Sequence, residues 1–125
     1  ATPDGYKPDG AVLEFTKGYG DKFALETDPF MAASGADILI TDTWTSMGEE
    51  AEKEERKKIF NDYQINRQLL AAANAGAMVQ HCLPAYRGQE ITEEVFEEHA
   101  DEIFNEAENR LHAQKAVMVK LMKKD

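Results

Sequence analysis

The chain has 125 residues, of which 42% are hydrophobic and 30% charged, so it can bury one modest core and no more. Fourteen Lys and Arg against 24 Asp and Glu give a net charge of −10, which opposes binding to nucleic acid phosphates or anionic lipid. A single cysteine excludes an intrachain disulfide, and no apolar run approaches the roughly 20 residues of a membrane helix. We therefore expect one cytoplasmic unit with a small-molecule or protein partner, and neither nucleic acid nor membrane.

The first half of the chain alternates apolar segments with turn residues. Glycine ends a helix, Asp-Pro begins one, and a β-branched run is typical of a buried strand. Acids and bases at four-residue spacing, such as Glu52 with Arg56, indicate a solvated helical face rather than a binding site. In chain order these patterns predict a helix over 11–15, a strand over 21–27, a helix over 30–34, a strand over 38–41 and a helix over 49–60.

The second half continues the alternation of helices and short apolar strands. It predicts a helix over 66–73, a strand over 77–80, a helix that begins at Thr92, a strand over 102–105 and a long helix over 106–122. One face of the last helix is expected to pack along the sheet and consists of Ala107, Leu111, Gln114, Met118, Leu121 and Met122. This order of elements predicts an α/β fold in which helices cover a parallel sheet on both faces.

Asp42 follows the predicted strand over 38–41, and ligands of parallel α/β sheets collect beyond the carboxyl ends of the strands. Its carboxylate is suited to hold a ligand ammonium. The competing interpretation is a loop aspartate that accepts hydrogen bonds from nearby backbone N–H groups. Trp44 and Met47 are more typical of a pocket wall than of a ligand contact.

Cys82 lies between His81 and a Leu-Pro bend, directly after the predicted strand over 77–80. A Cys-His catalytic pair requires the imidazole within reach of the sulfur, but neighbours along an extended strand point to opposite faces, which argues against a dyad. A metal site is disfavoured as well, because the three histidines share no ligand spacing. A buried inert thiol and a ligand contact both remain open for Cys82.

Arg110 is predicted to lie in the early turns of the last helix, after the strand over 102–105. The helix dipole disfavours a cation there, so a bound phosphate or carboxylate would explain it, and a salt bridge to Glu106 is the alternative. Together, an acid, a thiol and an arginine at three strand ends predict a cleft for a small molecule that carries an amine and an anionic group.

Three motifs occur in the order and spacing of ornithine carbamoyltransferases: DTWTSMG at 42–48, HCLP at 81–84 and EAENR at 106–110. Over nearly its whole length the chain resembles the C-terminal, ornithine-binding domain of that family. The resemblance implies a Rossmann-like parallel sheet flanked by helices. The first strand and helix of that domain have no counterpart here, nor does the N-terminal carbamoyl phosphate domain, so residues 1–125 are expected to form a single partial ornithine-binding domain.

The resemblance also implies a reaction, in which the neutral δ-amine of L-ornithine attacks carbamoyl phosphate and gives citrulline and phosphate without metal or cofactor. The residues that it implies are Asp42 and Cys82 for catalysis, Asp42, Ser46 and Met47 for ornithine, and Cys82, Leu83 and Arg110 for carbamoyl phosphate. The implied partners are the missing N-terminal part of the subunit and further copies, since the family forms trimers.

Two alternatives stay open beside this hypothesis. One is a non-catalytic binding module, which the short length favours, and the other is a relative that acts on putrescine or an acylated ornithine. The amino-acid contacts expected at Asp42 and Ser46 argue against the second alternative. A missing central strand would leave an apolar sheet edge, so we expect either the missing segment or self-association to cover it.

Overall fold

The computed structural model describes residues 1–45 and 52–123. The helices are α1 Gly10–Thr16, α2 Pro29–Ala33, α3 Lys53–Phe60, α4 Arg67–Ala72, α5 Glu93–Glu98 and α6 Ala100–Met122, with 3₁₀ helices at Lys17–Lys22 and Asn61–Tyr63. Strands β1 Ile38–Thr41 and β2 Met78–His81 pair in parallel, with Ile38 opposite Met78 and Thr41 opposite His81. The predicted α/β fold, a parallel sheet flanked by helices, is confirmed. Within the described ranges, none of the helices has the length and hydropathy to cross a membrane.

Side-chain caps place four helices where the sequence predicts them. Asp9, Asp28, Asn66 and Thr92 each accept a hydrogen bond from a backbone N–H in the first turn of the helix that follows. These caps begin α1, α2, α4 and α5. Local chemistry was enough to predict these helices because a cap and its helix are neighbours in the sequence.

The charged helix α3 is formed as predicted from Lys53 onwards, and residues 49–51 of the predicted helix lie outside the described residues. Arg56 Nε lies 3.0 Å from Glu52 Oε2, as the spacing suggests. Glu54 pairs with Lys57 at 3.0 Å, three residues along the helix rather than four. The resulting ion pairs lie at the protein surface, where each adds little to stability.

Two predicted strands are wrong. The chain over 21–27 finishes a 3₁₀ helix at Lys22 and then continues without regular structure. The residues over 102–105 belong to α6, which begins at Ala100. In both segments the apolar group is too short for its periodicity to separate strand from helix, so the surrounding fold decides.

The expectation that the apolar face of α6 packs along the sheet is also wrong for most of the helix. Ile103 in the first turn is buried, whereas Leu121 is 80% exposed. A helix of this length extends about 35 Å, while a four-residue strand spans about 13 Å, so the sheet covers only the start of α6. The apolar side chains left exposed on α6 are Phe104, Leu111, Val117, Met118, Val119, Leu121 and Met122.

The core joins alternate residues of the two strands to the surrounding helices. Its buried members are Ala33, Leu39, Ile65, Leu69, Val79, Ile91, Val95, Phe96 and Ile103. The strand residues between these, Ile38, Ile40 and Met78, are substantially exposed. One face of the sheet is therefore buried and the other is largely open, which corrects the expectation that helices cover both faces.

A side chain closes the outer edge of β2. The buried backbone N–H of Val79 donates to Glu102 Oε2 at 2.8 Å, and His99 Nδ1 lies 3.0 Å from the same oxygen. Burial by itself raises the pKa of Glu102, but the hydrogen bonds from Val79 and His99 outweigh burial, so this pKa lies below its ordinary value. The carboxylate thus occupies a position that a further strand would need on this side of the sheet.

We expect Glu102→Ala to lower the free energy of unfolding by about 1–2 kcal/mol, because the buried N–H of Val79 loses its acceptor. Since the folded-state pKa of Glu102 is depressed, its contribution is present above the ordinary carboxyl pKa and is lost as pH falls through the folded value. Urea titrations at neutral and acidic pH measure both effects. Asp101→Ala, at an exposed neighbour, is the control, and equal stability of the two variants would contradict the edge contact.

Candidate active site

The parallel register brings Asp42 and Cys82 together. Thr41 lies opposite His81, so the residues that follow the two strands leave the sheet side by side at its carboxyl edge. The Cys82 thiol hydrogen bonds to the Asp42 carboxylate. The side-chain donor atoms of Asp42, His81 and Cys82 all lie within 4.8 Å of one another. Two of the predicted site residues therefore meet at one point of the fold.

His81 and Glu90 form a fully buried hydrogen-bonded pair next to this edge. His81 Nδ1 accepts a hydrogen bond from the N–H of Leu83 at 3.0 Å, so Nε2 carries the proton and donates to Glu90 Oε1 at 3.1 Å. Glu90 Oε1 also accepts from the N–H of Tyr86 at 2.6 Å. Both ring nitrogens of His81 are engaged in holding the loop after β2, and neither is available to the thiol of Cys82.

The loop after β2 has a shape that its local sequence does not favour. The Leu83–Pro84 peptide is cis, and Leu83 has a φ of +56°, in the left-handed region that a leucine rarely adopts. The bonds that Leu83 and Tyr86 make to His81 and Glu90 stabilise this backbone from the buried side. The loop therefore presents the backbone of Cys82 and Leu83 at the carboxyl edge in one fixed form.

The environment of Cys82 keeps its thiol protonated. Burial raises the pKa of Cys82, and the hydrogen bond to Asp42 and the negative charges of Asp42 and Glu106 raise it further. A catalytic cysteine nucleophile needs the opposite environment, one that lowers the thiol pKa. The geometry and the charge together support the interpretation that Cys82 is not half of a nucleophilic dyad.

Asp42 has the features of both a loop aspartate and a ligand contact, the two roles that its position in the sequence suggested. Its Oδ1 accepts a hydrogen bond from the N–H of Thr43 at 2.7 Å, which is the behaviour of a loop aspartate. Its carboxylate also contacts the thiol of Cys82 and is exposed at the edge. The local bond orients the carboxylate, and the exposed position leaves it accessible to a ligand.

Glu106 also belongs to the site, although the sequence suggested it only as a salt-bridge partner for Arg110. Its negative charge acts on Cys82, and its Oε2 is buried without a hydrogen-bond partner in the described part of the chain. Two carboxylates therefore act on one protonated thiol at the carboxyl edge. This combination suits a ligand amine, which can carry positive charge and donate several hydrogen bonds.

Arg110 does not lie at a helix start, and the physical argument for an anion there is wrong. Because α6 begins at Ala100, Arg110 lies about 15 Å along the helix, beyond the reach of the terminal dipole. Its side chain is exposed, and among residues 1–45 and 52–123 it forms no ion pair with Glu106. A carbamoyl phosphate contact at Arg110 thus depends on the EAENR motif alone. Ser46 and Met47 lie outside the described residues.

A groove of about 570 Å³ extends from Asp42 along β1. Trp44 lines it and stacks on Phe60 with ring centroids 6.1 Å apart, which supports the prediction that Trp44 is a wall residue. Arg56 donates to the carbonyl of Trp44 at 3.3 Å and lies over the ring of Tyr6 at 5.3 Å. Aromatic rings and one arginine therefore form the wall nearest to Asp42.

Asp42, His81 and Cys82 together offer the donor types that zinc accepts. The spacing of the histidines in the sequence does not indicate this trio, because Asp42 comes close to His81 and Cys82 only through the pairing of β1 with β2. Binding a metal there would require His81 to give up Glu90 or Leu83, and Cys82 to lose a proton that its surroundings hold. The protein contacts of these residues therefore compete with metal ligation.

We expect Glu90→Ala to lower the free energy of unfolding by about 2–4 kcal/mol, because it leaves His81 Nε2–H and the N–H of Tyr86 without an acceptor. Glu93→Ala, at an exposed position in the first turn of α5, is expected to cost about 0.5 kcal/mol or less. Chemical denaturation of both variants measures the difference. A similar small loss in both would show that the buried pair does not stabilise the loop.

We expect Asp42→Asn to accelerate alkylation of Cys82 by iodoacetamide near neutral pH, because removing the charge and the accepting carboxylate lowers the pKa of the thiol. The pH profile of the reaction should move to lower pH by a measurable amount. Glu106→Gln should move it in the same direction but less, and the exposed Asp101→Asn should leave it in place. An unchanged profile in Asp42→Asn would contradict the thiol contact.

Comparison with known proteins shows which family the chain is similar to. The family model described as "Aspartate/ornithine carbamoyltransferase, Asp/Orn binding domain" matches residues 1–121. Ornithine carbamoyltransferase from Nitratiruptor sp. is 53% identical over 99% of this chain, and that from Campylobacter curvus is 54% identical over 95%. The chain spans only 41% and 40% of the length of these two relatives.

Solved structures agree with the sequence matches. Anabolic ornithine carbamoyltransferase from Campylobacter jejuni superposes with a TM-score of 0.90 at 46% identity, covering 97% of this chain and 41% of that chain. An N-acetyl-L-ornithine transcarbamylase superposes with a TM-score of 0.76 at 26% identity, covering 97% of this chain and 38% of that chain. The Rossmann-like arrangement is thereby confirmed, and this chain belongs to the aspartate/ornithine carbamoyltransferase family.

Proposed function

We propose that this chain forms the ornithine-binding half of an ornithine carbamoyltransferase. The observation that supports this most strongly is the position of Asp42 beside Cys82 at the carboxyl edge of a parallel sheet, in a chain of this family. The reaction would transfer the carbamoyl group of carbamoyl phosphate to the δ-amine of L-ornithine and give citrulline and phosphate. Because the chain spans 41% of its relatives, it is one part of the catalytic unit.

The acids of the edge give ornithine a binding site. Asp42 accepts hydrogen bonds from the α-ammonium at the amino-acid end of the substrate, and Ser46 and Met47 belong to the same contact. Cys82 and Leu83 lie beside the δ-nitrogen, where the protonated thiol and the fixed backbone position it. Glu106 adds a second negative charge that acts on this part of the site. It favours a substrate with two amino groups, which can carry positive charge, over a substrate whose amine is uncharged.

The chemistry requires a second, cationic half. The neutral δ-amine attacks the carbamoyl carbon and forms a C–N bond, the bond between that carbon and the phosphate oxygen breaks, and the proton released by the nitrogen leaves with phosphate. The departing phosphate accumulates negative charge that cations must stabilise. Within the described residues the edge is acidic, so Arg110 and polypeptide beyond these 125 residues would supply the cations.

The proposal extends to the compartment, the metabolic role and the oligomeric state of the enzyme. We infer a cytoplasmic role in arginine metabolism, in a trimer that includes the carbamoyl phosphate domain, with no metal and no cofactor. The motifs at 42–48, 81–84 and 106–110 support this proposal because they resemble those of the trimeric enzymes. His81 and Cys82 are engaged in protein contacts that compete with metal ligation, and the exposed carboxylate of Asp42 is accessible to a substrate amine.

An acylated ornithine is the second candidate substrate, because one superposed structure is an N-acetyl-L-ornithine transcarbamylase. The identity to that protein is 26%, against 46% for the Campylobacter jejuni ornithine enzyme. An acyl group would also remove the charge of the α-amine, and a negatively charged contact at Asp42 would then have no cation to bind. We therefore favour free ornithine.

Calorimetry on this chain tests the half-site. We expect L-ornithine to bind, putrescine and N-acetyl-L-ornithine to bind at least tenfold more weakly, and carbamoyl phosphate not to bind detectably. Asp42→Asn should weaken ornithine binding about tenfold, which corresponds to one lost charge-assisted hydrogen bond of about 1.4 kcal/mol.

Asp101→Asn, which removes an exposed acid outside the three motifs, should leave ornithine affinity unchanged. Tighter binding of N-acetyl-L-ornithine would identify the acylated substrate instead. An absence of binding by all these ligands would favour a non-catalytic module.

A further inference from the structure

Helix α3 lacks the side-chain cap that begins α1, α2, α4 and α5. Its N-cap residue Glu52 makes no capping hydrogen bond and instead pairs with Arg56 of the same helix at 3.0 Å. None of the residues of α3 is fully buried. Because an isolated helix of eight residues is marginal in water, contacts with other segments are needed to hold α3 in place.

The ladder between the two strands ends where the segments that carry the site begin. We call residues 42–45 the β1 arm and residues 82–86 the β2 arm. Arg56 Nη1 donates to the carbonyl of Trp44 at 3.3 Å, and the ring of Trp44 stacks on Phe60 at the end of α3. Helix α3 is therefore attached to the β1 arm, which carries the acid of the site.

Lys53 attaches the first turn of the same helix to the β2 arm. Its Nζ lies 5.3 Å from the centroid of the Tyr86 ring, inside the range of about 6 Å over which a cation and an aromatic face attract. The backbone N–H of Tyr86 donates to Glu90, so the buried pair holds the residue that carries this ring. Lys53 is half-buried, although the charge pattern of α3 indicated only a solvated face.

We propose that Lys53 and Tyr86 form a positioning pair for ornithine, because their contact completes a bridge through α3 from the β1 arm to the β2 arm. The bridge keeps Asp42 beside Cys82, and so fixes the spacing of the groups that receive the two amines of the substrate. Lys53 acts on the ligand only through Tyr86 and its loop. The choice of ligand rests on the proposed function, whereas the bridge is a property of the chain without ligand.

NMR tests the bridge in the absence of ligand. The ring current of Tyr86 should shift the ε-methylene protons of Lys53 upfield of those of Lys58, an exposed lysine later in α3. Tyr86→Leu should abolish this shift and speed amide exchange in α3 and at Leu83 about two- to fivefold, the ratio that corresponds to one exposed cation–π contact. Tyr86→Phe keeps the ring and should change neither. An unshifted Lys53 resonance, or unchanged exchange in Tyr86→Leu, would overturn the proposal.

Calorimetry with L-ornithine tests the positioning role. Tyr86→Leu and Lys53→Met should each weaken ornithine binding about two- to fivefold. The double variant should bind no more weakly than either single variant, because the two residues act as a unit. Tyr86→Phe should bind as tightly as the unaltered chain. Lys58→Met, which removes the same charge from the same helix, should also leave the affinity unchanged.

The pattern across these variants separates a bridge from a direct contact. A loss of affinity in Lys53→Met without one in Tyr86→Leu would show that the lysine binds ornithine itself, and additive losses in the double variant would show that the residues act independently. Either result would overturn the proposal. If the unaltered chain does not bind ornithine, the proposed function fails, and the exchange rates in Tyr86→Leu alone decide whether the pair holds the two arms.

Discussion

The parallel pairing of β1 with β2 is the constraint on which the candidate site depends. Each strand has four residues, and the register places Thr41 opposite His81, so the next residue of each strand leaves the sheet at the same edge. Antiparallel pairing would separate Asp42 from Cys82 by the length of the sheet. The contact between carboxylate and thiol therefore follows from strand direction and register, and it needs no special feature of the intervening helices.

The buried pair of His81 and Glu90 holds the loop after β2, which forms part of that edge. A neutral imidazole and a carboxylate together satisfy the N–H groups of Leu83 and Tyr86, in a place that water does not reach. The left-handed backbone at Leu83 is sustained by these bonds. The histidine beside the cysteine thus acts on the loop rather than on the sulfur, and the surrounding acids keep the thiol protonated. This environment is the opposite of the one that a cysteine nucleophile requires.

The exposed apolar side chains show which surfaces of the fold the chain leaves uncovered. The core between the strands and α4, α5 and the start of α6 is closed, and Glu102 finishes the outer side of β2. The free side of β1 and the later turns of α6 are both apolar and open. These two surfaces are consistent with a chain that spans about two fifths of its relatives.

The local features of this protein follow from the residues of each segment. Caps at Asp28 and Thr92 place helices, because a capping side chain and its helix are neighbours, and the β-branched run over 38–41 marks a strand. The motifs around Asp42 and Cys82 also identified the family from sequence alone. Residues 21–27 and 102–105 were mistaken for strands because four to seven residues carry too little periodicity to decide.

Which of these features come into contact depends on the packing of the whole chain. The register of two strands joins Asp42 to Cys82, the buried pair of His81 and Glu90 forms across a loop, and the true start of α6 moves Arg110 away from the helix terminus. Within α6, the negative charge of Glu106 raises the pKa of the Cys82 thiol. Contacts between residues distant in sequence depend on strand direction and helix placement, which arise from packing the whole chain and are not encoded in any short segment.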